Sequence, residues 1–231
     1  MSDRILLAFL GLLCWNCNNS RLCGAQELLF EDSFETALSD KWEFVGLDRE
    51  DVRIRDGALE IRLETLADPR SQRVLKVNLP FSTADSVVAS VEVTVIGESL
   101  PHGAFAGLCL TNANGTEFTV RKTNIDGYFV LSPGEVEFIG EEGQEGEPGK
   151  YTVKYWPADP SFGPLRVIVR GDYAHFQVGP NQDGSYKNLF HSAINPSAEG
   201  MGFGLTVVGS KDVDMSGERW VRFDNFQVTK L

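Results

Sequence analysis

The chain has 231 residues, and its 21 Lys and Arg against 33 Asp and Glu give a formal net charge of −12 at pH 7. Nucleic acids and anionic membranes bind clustered Lys and Arg, so this balance argues against both as partners. Neutral ligands, and cations such as calcium, are compatible with it.

The first 25 residues have the pattern of a secretory signal peptide. Arg4 supplies a positive start, residues 5–15 form an apolar run, and Cys23-Gly24-Ala25 places small residues before a cut at Gln26. The run is shorter than the roughly 20 residues of a membrane-spanning helix, although an uncleaved anchor is the alternative. We therefore expect a secreted protein, extracellular or periplasmic, with one mature domain over residues 26–231.

Cleavage would leave a single cysteine in the mature chain. Cys14, Cys17 and Cys23 lie in the leader, and Cys109 lies in the apolar run FAGLCLT. We expect Cys109 to be a buried thiol. Without a disulfide framework, the stability of the domain must come from packing.

From residue 27 onward, strand-like segments follow one another with almost no helical signal. In residues 52–64 the apolar residues alternate with charged ones on both sides of Asp56-Gly57, which predicts a hairpin with the charged residues facing water. The predicted strands are 27–34, 42–44, 52–55, 58–64, 73–79, 86–96, 105–111, 117–122, 128–131, 135–139, 151–156, 165–170, 173–178, 201–208 and 219–231.

The first and last of these segments are predicted to pair and close a sheet. Between the others lie turns and two longer connections: an acidic, glycine-rich loop over residues 140–149 and a polar connection over residues 180–198. Many short strands with regular turns indicate an all-β fold, a two-sheet antiparallel β-sandwich. We assign Trp42 and Trp220 to its core.

Several of these segments together resemble the concanavalin A-like lectin/glucanase jelly rolls, including laminin-G-like domains. The segments are FEDSFETALSDKWEF, the DGALEI hairpin, FAGLCL, KYTVKYW, LRVIVRGDYAHFQVG and the closing strand VRFDNFQV. The resemblance implies a jelly-roll sandwich. Its members include lectins, glycoside hydrolases and adhesive modules, so the fold alone does not choose a function.

A lectin-like, carbohydrate-binding role is our first expectation. Such a site needs an aromatic face against sugar C–H groups and polar side chains for the hydroxyls. The candidates are Tyr128, Tyr155, Trp156 and Tyr186. A structural or adhesive module is one alternative, and it would show a large exposed apolar patch.

A glycoside hydrolase is the other alternative. Glu135 and Glu137 alternate on a predicted strand and look like the catalytic strand of the family-sixteen glucanases, in which two carboxyls about 5 to 5.5 Å apart perform retaining hydrolysis. The third acid of that pattern is missing, since Ile139 and Gly140 occupy its place. The ending FDNFQVTKL also resembles the 3-keto-disaccharide hydrolases.

Calcium is a possible structural ion because jelly rolls of this kind often hold one. Calcium prefers six to eight oxygen ligands. If the two ends of the chain pair, then Glu31 or Asp32 on the first strand and Asp224 on the last could supply some of them. The three histidines are isolated in the sequence and lack the spacing of a zinc site.

Overall fold

The computed structural model describes residues 26–64, 73–81, 84–96, 100, 104–111, 117–123, 127–133, 151–157, 164–180, 184–194, 201–209 and 219–231. The predicted signal peptide and the Glu135 and Glu137 pair lie outside these residues. Within them, no helix has the length and hydrophobicity to cross a membrane.

The described residues form fifteen strands and a single 3-10 turn at Arg49–Asp51. In chain order the strands are β1 (Glu27–Asp32), β2 (Trp42–Val45), β3 (Val52–Arg55), β4 (Ala58–Leu63), β5 (Val74–Asn78), β6 (Ser86–Val95), β7 (Phe105–Thr111), β8 (Glu117–Thr123), β9 (Gly127–Pro133), β10 (Tyr151–Pro157), β11 (Leu165–Arg170), β12 (Tyr173–Val178), β13 (Lys187–Ala193), β14 (Gly202–Val208) and β15 (Arg219–Lys230).

The strands form two antiparallel sheets, so the predicted all-β sandwich is confirmed. Sheet A has the order β13-β12-β11-β6-β15-β4-β3, and β1 also pairs with β15. Sheet B has the order β10-β9-β8-β7-β14-β5-β2. The core between them is built from alternate residues of each strand, such as Phe223 of β15, Val167 of β11 and Leu108 of β7.

The two ends of the chain pair as expected. Glu27 lies opposite Lys230, and Asp32 lies opposite Phe226. The predicted Asp56-Gly57 hairpin is also present, with Ile54 opposite Leu59. Both turn residues have positive φ, 52° and 72°, as in the two-residue turns that match the twist of a hairpin.

One predicted connection contains a strand. The sequence indicates a polar loop over residues 180–198, but β13 lies inside it and pairs with β12 along the edge of sheet A. Leu189 of this strand is buried and anchors it to the core. One buried residue among polar neighbours is too weak a pattern to identify a strand.

Asp32 organises the loop between β1 and β2 because it accepts three hydrogen bonds. The donors are the N–H of Phe34 at 3.0 Å, the N–H of Ser39 at 3.1 Å and the indole N–H of Trp42 at 2.8 Å. Trp42 in turn packs against Phe30 and Phe226 with ring centroids 5.5 and 4.9 Å apart. The carboxylate thus ties the loop to the aromatic core.

We expect Asp32→Ala to lower the free energy of unfolding by roughly 2–4 kcal/mol, because it leaves buried N–H donors without an acceptor. Chemical denaturation with and without a chelator measures this change in the free energy of unfolding. The control is Glu31→Ala, since Glu31 is exposed and contacts Gln227 at the surface. Equal stability of the two variants in the chelator would contradict the assigned role of Asp32.

Lys122 is an unusual component of the sandwich interior. It lies on the same face of β8 as the core residue Val120, is buried, and donates from Nζ to the backbone oxygen of Val93 at 2.8 Å. Burial lowers the pKa of Lys122 to about 8, and the charge of Glu92 only partly opposes this shift. The protonated amine therefore costs folding free energy at neutral pH.

We expect Lys122→Met to stabilise the protein by about 1–3 kcal/mol at pH 7, because it removes a buried charge while keeping a similar volume. A lowered pKa means that the cost is fully present below pH 8 and disappears as the pH rises toward 10.5. The difference in unfolding free energy between variant and wild type should therefore shrink between pH 7 and pH 10. A difference that is independent of pH would disprove this explanation.

Candidate functional site

The outer face of sheet A, which points away from the core, has two chemically different halves. The first half lies on β3, β4 and β15 and is closed by ion pairs. Glu60 is only 1% exposed and contacts Arg53 at 2.7 Å and Arg222 at 2.6 Å. Burial alone would raise the pKa of Glu60, but the hydrogen bonds from the two arginines lower it overall. The sequence pattern predicted that these charges face water, which is wrong for Glu60.

Trp220 also belongs to this outer half. Val221 and Phe223 are core residues on alternate positions of β15. Trp220, which precedes Val221, therefore points to the opposite face. It is nevertheless buried, because the Arg53 guanidinium lies 3.7 Å from the centroid of its ring. Both tryptophans are therefore buried, as expected, but only Trp42 belongs to the central core cluster, whereas Trp220 is buried on the outer face of sheet A.

A second ion-paired group stands beside the first. Asp51 contacts Arg62 at 2.6 Å and Arg73 at 2.8 Å, and it also accepts a hydrogen bond from the N–H of Asp48. Burial acts to raise the pKa of Asp51, but these donors outweigh it and lower the pKa to about 2. This half of the face is occupied by its own salt bridges.

The second half of the outer face lies on β11, β12 and β13, and we call it the β11–β13 face. Strand register arranges it in three rows. From β11 to β13 the rows are Arg166-Gln177-Asn188, Ile168-His175-His191 and Arg170-Tyr173-Ala193. With strands about 4.8 Å apart and alternate residues about 6.7 Å apart, the face is roughly 10 Å by 13 Å. It is open to solvent and mostly polar.

Aromatic rings form a continuous group on this face. Tyr173 is 49% exposed, and its ring centroid lies 6.1 Å from that of His191. His191 in turn lies 5.8 Å from His175, with the two rings tilted by 31°. Burial is the main reason why the pKa of His175 is lower than its ordinary value, and the charges of His191 and Arg170 lower it further. His175 is therefore a neutral donor and acceptor at pH 7.

Tyr186 extends the face at the row of Arg166. The guanidinium of Arg166 lies 4.4 Å from the centroid of the Tyr186 ring, within the range of a cation–π contact. Gln177 lies opposite Arg166 in the sheet, and its side-chain oxygen is buried without a hydrogen-bond donor among the described residues.

The sequence candidates for ligand binding do not form one group. Tyr186 lies on the β11–β13 face, whereas Tyr128, Tyr155 and Trp156 lie on β9 and β10, at the edge of sheet B. Register places Trp156 opposite Tyr128, and Tyr155 opposite Phe129. The side chains of these three residues lie outside the described part.

The three carboxylates proposed for calcium have different surroundings. Asp32 is buried with its three donors, Glu31 accepts a hydrogen bond from Gln227 at 3.1 Å on the other face of β1, and Asp224 accepts one from the N–H of Asn225. Among the described residues no group of three or more His, Cys, Asp or Glu side chains is placed to hold a metal ion. Calcium binding stays a prediction.

The outer face of sheet B is less accessible than the β11–β13 face. Val74, Cys109, Thr119 and Thr206 point away from the core and are all buried. Space here is tight, since a Cβ added to Gly204 would lie 2.6 Å from Val74 Cγ1 and 2.9 Å from Cys109 Sγ. As predicted, Cys109 is buried and forms no disulfide.

The sequence contains only partial signals for this site. The alternation in YAHFQV places Tyr173, His175 and Gln177 on one face, but it does not show which neighbours they meet. The sequence did not indicate His191 because its strand lies in the predicted polar connection. Its pairing with His175, sixteen positions earlier, depends on the register of a hairpin whose connection, residues 179–186, is longer than the two-residue turns that set register directly.

No family model and no curated protein matches this chain. Solved structures do. The Bacteroides ovatus xyloglucan PUL protein GH43B has 13% identity and a TM-score of 0.61, over 87% of this chain and 39% of that chain. The family GH16 endo-β-1,3(4)-glucanase SCLam has 12% identity and a TM-score of 0.58, over 89% and 91%.

A protein of unknown function from Saccharomyces cerevisiae has 15% identity and a TM-score of 0.56, over 83% of this chain and 97% of that chain. At such low identities the likeness establishes a shared β-sandwich fold. It does not transfer an activity, because one fold supports many functions.

Because of the ion pairs on the first half of the outer face, we expect the protein to lose stability at acidic pH. The pKa of Asp51 is lowered from 3.8 to about 2. The contribution of the ionised carboxylate to folding stability is therefore fully present above pH 4 and is lost as the pH falls toward 2. We expect the stability difference between wild type and Asp51→Asn to shrink by roughly 2 kcal/mol over this interval. Urea denaturation at pH 4.5 and pH 2 measures it.

The matched control for that experiment is Asp56→Asn. Asp56 is 73% exposed and lies 3.6 Å from Arg222, so its loss should have little effect at either pH. If the Asp51→Asn difference were the same at both pH values, the ion pairs of Asp51 would not be the source of the acid sensitivity.

Proposed function

We propose that this protein binds a carbohydrate through the β11–β13 face. The main support is the ring group of Tyr173, His175 and His191, which is held at fixed spacing on the two adjacent strands β12 and β13, with Tyr173 and His191 exposed. Exposed aromatic rings pack against the C–H groups of a sugar, and neighbouring polar groups bind its hydroxyls. Both kinds of group are present on this face.

The polar groups have the mixed character that a sugar hydroxyl needs. A hydroxyl both donates and accepts, so its site should offer acceptors as well as donors. Asn188 and His191 are exposed on β13, and both can donate and accept beside the half-buried Gln177 of β12. Because these groups stand on strands and not on loops, their spacing is set before a ligand arrives.

The fold likeness is compatible with this proposal, since two of the similar structures are a GH43 protein and a GH16 glucanase. We further propose, from the sequence of residues 1–25, that the domain acts outside the cytoplasm. The hydrolase alternative depends on Glu135 and Glu137 and stays a prediction. The adhesive alternative has no specific support, because the exposed large apolar residues among those described are scattered: Leu28 lies on β1, Val45 on β2 and Tyr173 on β12, with Ile96 just after β6 and Leu231 just after β15.

A glycan array with the purified protein, with and without calcium, tests binding directly. We expect Tyr173→Ala to weaken the affinity for the best glycan by about tenfold, because a stacking contact contributes roughly 1–2 kcal/mol. Isothermal titration of the array hits measures this change.

Ile96→Ala is the matched control, since Ile96 is 41% exposed but lies beyond the far end of β6. It should bind like the wild type. Absence of binding to every glycan, or an unchanged affinity in both Tyr173→Ala and Tyr186→Ala, would disprove the proposal.

A further inference from the structure

The arginines on and around sheet A differ in whether a carboxylate lies close to them. Arg53, Arg62, Arg73 and Arg222 each lie within 4.0 Å of at least one carboxylate. Two further arginines stand on the outer face of β11, in the first and third rows of the β11–β13 face. Within the described residues, neither has an acidic partner at that distance.

This difference is unexpected in a chain with a net charge of −12. Acidic side chains are plentiful, yet the described acids near the face are few. Asp85 is held by Lys230 at 2.6 Å, Asp172 lies in the exposed turn between β11 and β12, and Glu92 is exposed on β6, two residues beyond the partner of Arg166. Lys187 is exposed at the start of β13. The nine positions of the face itself hold two arginines and no acid, although the protein is acidic.

We propose that the ligand of the β11–β13 face is an anionic saccharide, one that carries carboxylate or sulfate groups. This proposal rests on the proposed carbohydrate-binding function and specifies its ligand class. Arg166 and Arg170 would bind the acidic groups, and the rings and amides between them would bind the sugar.

The position of the two arginines suits a chain of sugars. Four residues apart on one strand, their Cα atoms lie roughly 13 Å apart, a distance that two charged groups on an oligosaccharide can span. Arg166 is held by the ring of Tyr186, so its planar guanidinium loses little freedom when it binds an anion. The anion-binding groups thus bracket the middle row, Ile168, His175 and His191.

The amides in the row of Arg166 favour a saccharide over a simple anion. Gln177 and Asn188 stand beside Arg166, and amide side chains offer acceptors as well as donors. Phosphate or sulfate alone offers mainly acceptors and would use only the donors. An acidic sugar offers hydroxyl donors beside its anionic group, so it can use both.

The test compares oligosaccharides of equal length that are neutral, uronate-bearing or sulfate-bearing, titrated into the wild type, Arg170→Gln and Arg166→Gln. We expect the wild type to bind at least one acidic oligosaccharide ten times or more tightly than the neutral one, with affinity falling as salt rises. Arg170→Gln should weaken the affinity for the acidic ligand about fivefold and leave the affinity for the neutral one unchanged. Arg55→Gln is the matched control, since Arg55 is 61% exposed on the ion-paired half and should behave like the wild type.

The outcomes separate this inference from the function on which it rests. If a neutral oligosaccharide binds as tightly as the acidic ones and Arg170→Gln changes nothing, the anionic preference is wrong while carbohydrate binding stands. If no oligosaccharide binds, both proposals fail. Equally tight binding of inorganic polyphosphate or RNA, abolished by Arg170→Gln, would show an anion site that is not specific for saccharides and would overturn the proposal.

Discussion

The structure depends on the pairing of β15, the last strand, with three other strands. On one side it pairs with β6 along most of its length. On the other side its first half, from Arg219 to Phe223, pairs with β4, and its second half pairs with β1. A single strand thus joins both ends of the chain and both halves of sheet A. Its inward residues, Phe223 and Phe226 among them, are fully buried.

The change of partner along β15 has a local cause. Between Asp224 and Gln227 the register with β6 shifts, and Asn225 in this bulge has φ of 51°. An extra residue bends a strand and increases its twist, which lets β15 leave β4 and accept β1 without breaking its pairing with β6. Asn tolerates this backbone conformation better than most residues. The polar DN pair in the middle of an apolar strand therefore has a structural reason.

Much of this architecture was predictable from residues that obey alternation. The strand character of the two chain ends and the Asp56-Gly57 hairpin follow from apolar periodicity and turn chemistry, both of which are local. The pairing of the two ends with each other is a long-range contact that no local pattern encodes. Alternation assigns a residue to a face but cannot say what covers that face. Trp220 and Glu60 both point outward as their positions indicate, and both are buried because arginines from neighbouring strands close over them. Such covering is a property of the assembled sheet.

The same limit explains why the candidate site could be predicted only in part. The sequence indicated four aromatic residues, and of these Tyr186 lies on the β11–β13 face. The two-residue turn Gly171-Asp172 between β11 and β12 sets Gln177 beside Arg166, but the pairing of His191 with His175 crosses the longer connection between β12 and β13. Register across such a connection is not encoded in any short motif. A strand with one buried anchor, such as β13 with Leu189, completes the face and leaves almost no local signal.

The outer face of sheet A combines a half that is stabilised by ion pairs with a half that is open to a ligand. Where β3, β4 and β15 meet, arginine and carboxylate side chains satisfy one another, so a ligand would have to displace existing ion pairs at a large desolvation cost. Where β11, β12 and β13 meet, the described arginines lack such partners and the aromatic rings are exposed. Unsatisfied polar groups and exposed rings gain more from a ligand than satisfied ones do. The proposed binding therefore lies on the half that contributes least to the internal electrostatics of the fold.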